Sequence, residues 1–220
     1  MTKKIKLLLA DHHIMFREGL RCLLGNDDRF TVTGEADNQE EALKAVKKTK
    51  PDLVLLDSAF LGYANYDGIG KIRDTDPRPQ VVILLKHEAQ ADQIRAAMQA
   101  GALGCISKSA AFWELAEAIE TVHNGESYIS RGLKDVIIKN IASGEATPRS
   151  KYESLNKREK AVFQMLASGS DVHAVVDELN IRSQSFYKYR TSIMEKLDIK
   201  SMAELARFAC EIGVVESRRD

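Results

Sequence analysis

Three cysteines, Cys22, Cys105 and Cys210, are spread over 220 residues without a CxxC pair. Their odd number and wide spacing indicate neither a disulfide framework nor a zinc site, which leaves mostly buried free thiols as the expected state. No apolar run approaches the ~20 residues of a bilayer span, and the opening MTKKIKLLLA has no small-residue cleavage site before it enters a patterned strand. A cytoplasmic protein with no membrane partner is the expectation. Nor is there an excess of charge: 32 Lys and Arg balance 32 Asp and Glu, so any basic surface must be local. A Walker loop, a nucleophile elbow and a metal-binding histidine pair at helical spacing are all missing. That argues against an enzyme, including a hydrolase built from Asp11, His12, His13 and Asp57. No internal repeat or low-complexity tract is visible.

What remains is ordinary for a globular protein of one or two domains, at 44% hydrophobic and 29% charged residues. Up to about Gly125, short apolar runs alternate with segments of helical period. The runs Ile5–Leu9, Thr31–Glu35, Leu53–Leu56, Val81–Leu85 and Gly104–Ser107 predict strands. Ile14–Leu24, Glu40–Lys48, Tyr66–Asp74, Gln90–Ala100 and Ala111–Asn124 predict helices between them. Five near-continuously apolar strands, each followed by a helix, predict an α/β fold with a doubly wound, five-stranded parallel sheet. In such sheets ligands bind outside the carboxyl ends of the strands, at the topological switch point. Asp11, His12, Asp57, Leu85 and Lys108 all fall at or just past those ends, which predicts one shared pocket.

A helix-like piece, Leu133–Ile141, precedes ASGEATPRSKYES, which lacks apolar periodicity and reads as a linker. From Leu155 the pattern is helical throughout: Lys157–Ala167, a stop at Gly169, Val172–Leu179, a break at Asn180–Ser183, Gln184–Leu197 and Ala203–Ile212. Two short helices joined by a tight break, the second carrying cationic and aromatic residues, follow the helix-turn-helix plan. The expected organisation is a domain over residues 1–127, a linker helix and flexible linker over 128–150, and a small all-α domain over 151–220.

LLLADHHIMFREGLRCLL, GEADNQEEAL, PDLVLLD, VVILLKH, AGALGCISK and ELAEAIETVHNGESYIS in the first half resemble, in order and spacing, the receiver of the NarL/FixJ family of response regulators. LNKREKAVFQMLASG and IMEKLDIKSMAELARFA in the second half are similar to that family's LuxR-type helix-turn-helix. The resemblance spans nearly the whole chain and implies a flavodoxin-like receiver followed by a module that binds double-stranded DNA. It matches Asp57 to the phosphoacceptor, Lys108 to the lysine that holds phosphoryl oxygens, and Asp11 to the first of two acids that bind Mg²⁺ with it.

Other positions depart from the family pattern. His12 stands where the second acid would be, and an imidazole suits zinc, copper or nickel better than Mg²⁺. Leu85 replaces the hydroxyl residue after the fourth strand, and Cys105 replaces the aromatic that turns inward on activation. The Met-Pro-Gly after the phosphoacceptor becomes FLG, Phe60 to Gly62, and the following loop is stretched to GYANYDG. Phosphoryl transfer depends on positioning and on charge stabilisation by metal and fixed donors. A degenerate receiver controlled without conventional phosphorylation is therefore expected, with Mg²⁺ at Asp11 and Asp57 weak or lost and no other cofactor. The alternative is a conventional switch at Asp57. No sensor kinase can be named.

The same residues have plainer readings. Asp11 would cap the helix near Ile14, and Asp57 would accept loop amides. His12 and His13 suggest a soft-metal site, but consecutive side chains do not easily converge on one ion. A solvated or hydrogen-bonded imidazole is expected instead.

In the second half the candidate recognition helix is QSFYKYRTSIMEKL. Phe186, Ile193 and Leu197, bridged by Tyr189 or Arg190, predict its inward stripe. Arg182, Ser183, Ser185, Tyr187, Lys188 and Arg190 are the candidate DNA contacts. By the resemblance, Tyr187 replaces the lysine that most often faces DNA, and Asp171, Val172 and Ala174 depart from the preceding helix's pattern, so a different base preference follows. One small, nearly neutral module limits affinity, and a homodimer reading two half-sites about one helical turn apart is expected. Ala111–Asn124 and Ala203–Ile212 offer candidate dimer faces. The competing reading is a receiver-like interaction module that binds DNA weakly or not at all.

Overall fold

The computed structural model describes residues 3–61, 67–86, 89–144, 146–212 and 214. The chain divides into two compact units, Met1–Ser143 and Gly144–Asp220. The first is a parallel sheet of six strands, β1 (Ile5–Ala10), β2 (Phe30–Ala36), β3 (Leu53–Asp57), β4 (Gln80–Leu85), β5 (Gly104–Ser107) and β6 (Tyr128–Ile129), in the order β2-β1-β3-β4-β5-β6. Around it lie α1 (Ile14–Gly25), α2 (Gln39–Thr49), α3 (Asp67–Arg73), α4 (Ala91–Gln99), α5 (Phe112–His123) and α6 (Arg131–Ser143). The α/β doubly wound expectation holds, with one correction to the count of five strands. The sixth is two residues long, too short for an apolar pattern, and only its pairing with Gly104 and Cys105 makes it a strand.

Alternation along each strand sends side chains into two apolar layers. Leu8, Val54, Leu56, Ile83, Leu85 and Cys105 pack with Val46 of α2, Ile69 and Ile72 of α3 and Ile94 of α4. Leu7, Leu9, Leu53, Leu55, Leu84 and Ile106 pack with Leu20 and Leu24 of α1 and Leu115 and Ile119 of α5. Burial on both faces is why these strands read as continuous apolar runs rather than alternating ones.

The helix foreseen inside the linker is α6, and its Leu133 is buried in the first of these layers, so it belongs to the sheet unit. The rest of the presumed linker also holds structure: α7 (Pro148–Glu153) starts where Thr147 accepts from the Ser150 N–H at 3.2 Å and Pro148 enters the first turn. A capping Thr before Pro was the available signal. Residues 62–66, most of the stretched GYANYDG loop and the start of the helix predicted from Tyr66, lie outside the described residues.

The second unit packs α8 (Lys157–Ala167), α9 (Val172–Glu178), α10 (Ser183–Leu197) and α11 (Met202–Glu211) with α7 around Phe163, Phe186, Ile193, Leu197, Leu205 and Phe208. Gly169, at φ +86°, ends α8 in a left-handed conformation that other residues reach only with strain. The apolar face of α11, a candidate dimer face, is spent on this core. Among the described residues no helix is long and apolar enough to cross a membrane.

Candidate functional site

The order of the sheet reverses between β1 and β3, which are neighbours, so Asp11 just past β1 and Asp57 at the end of β3 meet at the switch point. Both are buried, at 1% and 0% exposure. Their oxygens divide the work in the same way. Asp11 Oδ1 accepts the His13 backbone N–H at 2.9 Å, and Asp57 Oδ1 accepts the Ala59 N–H at 3.1 Å. Each Oδ2 turns inward, where Lys108 Nζ lies 2.7 Å from Asp11 and 2.9 Å from Asp57.

The plainer reading of both acids is thus realised on one oxygen of each, leaving the other for the pocket. For Asp11 the detail differs from the expected helix cap. His13 occupies the N-cap position of α1, with no side-chain hydrogen bond to the helix, and Asp11 accepts a loop amide. Burial pushes the Asp11 carboxyl up, but the Lys108 ammonium and the two His13 hydrogen bonds outweigh it and hold it below the usual carboxylate range.

The two histidines do converge, contrary to the expectation for consecutive residues. His12 Nδ1 lies 2.8 Å from Asp57 Oδ2, and His13 Nδ1 lies 2.9 Å from Asp11 Oδ1 and 3.6 Å from Asp57 Oδ2. The reason is the bend at His12, between β1 and α1, which lets the two rings end 3.7 Å apart. Lys108 Nζ also reaches His13 Nδ1 at 3.2 Å. A nitrogen that accepts from lysine cannot at the same time donate to Asp11, so the tautomer of His13 couples the two contacts.

Leu85 is buried in the apolar layer with Ile83 and brings no donor to the pocket. Cys105 is buried beside it, and burial pushes its thiol up to about 12, opposite to a reactive thiolate.

In the helical unit, α10 turns Phe186, Ile193 and Leu197 inward as predicted, and Tyr189 packs partly against the same core. Arg182, Ser183 and Lys188 are exposed, Tyr187 is 52% exposed, and Ser185 and Arg190 are half-buried. The N-termini of α8, α9 and α11 are capped by Asn156, Asp171 and Ser201, whereas α10 has Arg182 at its cap position, no side-chain cap and no acid in its first turn. Its first N–H groups and the cations beside them form an electropositive end that suits phosphate.

Sequence reasoning missed Glu159, 3% exposed, which accepts from Ser192 Oγ at 2.7 Å, from Lys196 Nζ at 2.8 Å and from the Asn156 N–H at 2.8 Å. It ties α8 to α10 and so fixes the helix that carries the basic residues. Its signal was the capping box in NKRE.

The chain matches the model of the response regulator receiver domain over residues 7–120 and that of the bacterial regulatory proteins of the luxR family over residues 153–209. It is 33% identical to the response regulator GacA of Pseudomonas aeruginosa over 216 residues, 97% of this chain and 99% of that one. It is 32% identical to the transcriptional activator protein ExaE of Pseudomonas putida, over 95% of this chain and 97% of the relative. A solved LuxR-family two-component response regulator from Aurantimonas sp. is similar at 27% identity and a TM-score of 0.58, covering 64% of this chain and 99% of its own.

Proposed function

Because the chain belongs to the NarL/FixJ family of response regulators, with a receiver and a LuxR-type helix-turn-helix, we propose that it is a cytoplasmic, sequence-specific transcription regulator that reads double-stranded DNA as a dimer and is controlled without conventional phosphorylation of Asp57. The sheet unit, which takes in α6 to Ser143, acts as the receiver, and the helical unit from Gly144 reads DNA. The observation that carries the DNA reading is the uncapped start of α10, where Arg182, Ser183, Tyr187 and Lys188 are exposed together. Lys188, Arg182 and Arg190 hold phosphates, and Ser185 and Tyr187 supply neutral hydrogen bonds.

Control without Asp57 phosphorylation rests on the pocket's residues. Family receivers use Mg²⁺ on oxygen ligands and a hydroxyl donor, whereas this pocket offers two carboxylates, two imidazoles and Leu85. Those donors do not fit an ion that demands octahedral oxygen. Asp57 remains buried with Lys108 2.9 Å away, a pairing that serves a fixed scaffold as well as a switch.

DNA selected by the full-length protein from a random pool provides the test. Affinity should fall steeply with salt, and Lys188→Ala or Arg190→Ala should each flatten the slope of log K against log salt by about one. If both leave affinity and slope untouched, α10 is not the reader and the interaction-module reading replaces this one. With acetyl phosphate, little acyl phosphate should form, and Asp57→Ala should leave DNA affinity unchanged. Stoichiometric modification with tighter DNA binding would restore the conventional switch.

A further inference from the structure

Three atoms at the switch point, Asp11 Oδ2, Asp57 Oδ2 and His12 Nδ1, are buried, and the two oxygens share the single Lys108 ammonium. They crowd together: His12 Nδ1 is 2.8 Å from Asp57 Oδ2, and the Lys108 ammonium is within 2.9 Å of both oxygens. In this state the Lys108 ammonium is the partner that holds both carboxylate oxygens, so a ligand that takes several lone pairs at once would compete with it.

A divalent cation is such a ligand. Ligands about 2.1 Å from one ion are separated by about 3.0 Å when adjacent in an octahedron and by about 3.4 Å in a tetrahedron. The Nδ1-to-oxygen separations here are 2.8, 2.9 and 3.6 Å. One donor atom from each of Asp11, His12, His13 and Asp57 fits within a span of 4.8 Å. Ligands of a tetrahedral ion stand about 3.4 Å apart, so the wider pairs must draw in by up to about 1.4 Å as the cation enters.

We propose that Asp11, His12, His13 and Asp57 form a binding site for a borderline divalent transition cation of the Zn²⁺ or Co²⁺ class, and that this site discriminates against Mg²⁺. Two neutral imidazoles and two carboxylates are the mixed nitrogen and oxygen set these ions favour. Their combined charge of −2 matches the ion without a second acid at position 12. Lys108 is the competitor. Its ammonium neutralises the same two oxygens in the metal-free pocket and must withdraw when the cation enters. This goes beyond the DNA-binding reading and stands or falls without it, because the receiver's own ligands are what is titrated.

The test titrates tag-free, full-length protein with Co²⁺ alone and follows its visible ligand-field absorption. About one equivalent should bind, Zn²⁺ alone should displace it, and about a thousandfold excess of Mg²⁺ should not. His12→Ala and His13→Ala should each weaken Co²⁺ at least about tenfold, and Lys108→Met should tighten it by a similar factor. Fluorescence of Trp113, the chain's one tryptophan, reports that the sheet unit is folded in each variant. Should an alanine variant fail to fold, His12→Asp decides: it should shift preference from Co²⁺ toward Mg²⁺. Displacement of Co²⁺ by equimolar Mg²⁺, wild-type Co²⁺ affinity in folded His12→Ala and His13→Ala proteins, or an unshifted preference in His12→Asp would overturn the proposal.

Discussion

Glu159 in the helical unit and Asp57 in the sheet unit are almost equally buried, at 3% and 0% exposure, but their surroundings differ in kind. Each Glu159 oxygen receives directed donors, from Ser192 and Lys196 on one side and from Lys196 and the Asn156 amide on the other. Asp57 accepts the Ala59 amide on one oxygen and turns the other toward Lys108, His12 and His13, and it shares that lysine with Asp11. A buried acid with every lone pair used is a fastener. A buried acid that shares one lysine with a second carboxylate and faces two imidazoles has partners a ligand can displace. The same residue chemistry thus separates scaffold from site within one chain.

The largest expected effect tests that contrast directly. Glu159→Ala should destabilise the helical unit by about 2–3 kcal/mol, because Lys196 and Ser192 lose their acceptor. Asp57→Asn should shift the sheet unit by less than about 1 kcal/mol, since it removes a charge from a pocket already rich in carboxylate. Denaturant unfolding followed by Trp113 fluorescence reports the sheet unit alone, and far-ultraviolet circular dichroism reports both. Equal losses in the two variants would break the comparison.

Next in size, His12→Asp should strengthen Mg²⁺ binding at least tenfold, about 1.4 kcal/mol, in calorimetric titration. Equal affinities would mean that His12 does not decide the ion. On α10, Tyr187→Phe should cost about 0.5–1.5 kcal/mol of DNA affinity with an unchanged salt slope, which separates its hydroxyl from the charge of Lys188.

The smallest effect is with pH. Burial pushes Glu159 up, yet Lys196, the Asn156 amide and Ser192 hold it below its usual 4.5. A carboxyl lowered on folding stabilises above its unfolded value and loses that contribution as pH falls through its folded one. The helical unit should therefore weaken as pH drops below about 4.5, and Glu159→Gln should remove that part of the slope. Asp11, held below its usual 3.8, should act in the same direction on the sheet unit at lower pH.

Much of the fold was legible because its signals are local. Apolar runs and helical periods marked β1 to β5 and α8 to α11, and buried faces on both sides explain why the strands lacked alternation. Short elements escaped: β6 has no pattern of its own, and α7 has a cap but no buried residue. Asp11, Asp57 and Lys108 could be placed together because a parallel sheet brings its strand ends to one edge. Glu159 was hidden because the residues that make it a fastener, Ser192 and Lys196, lie on a different helix.

By itself the sequence determined two apolar patterns, the acids at the switch point and the inward stripe of α10, since each follows from spacing along a few turns or one strand. Only the tertiary structure decided what the histidines do. Consecutive side chains diverge unless the backbone bends between them, and the bend from β1 into α1 turns both rings toward Asp57, which arrives from the neighbouring strand. A donor set assembled across strands has no period in the chain, so it exists only once the sheet has formed.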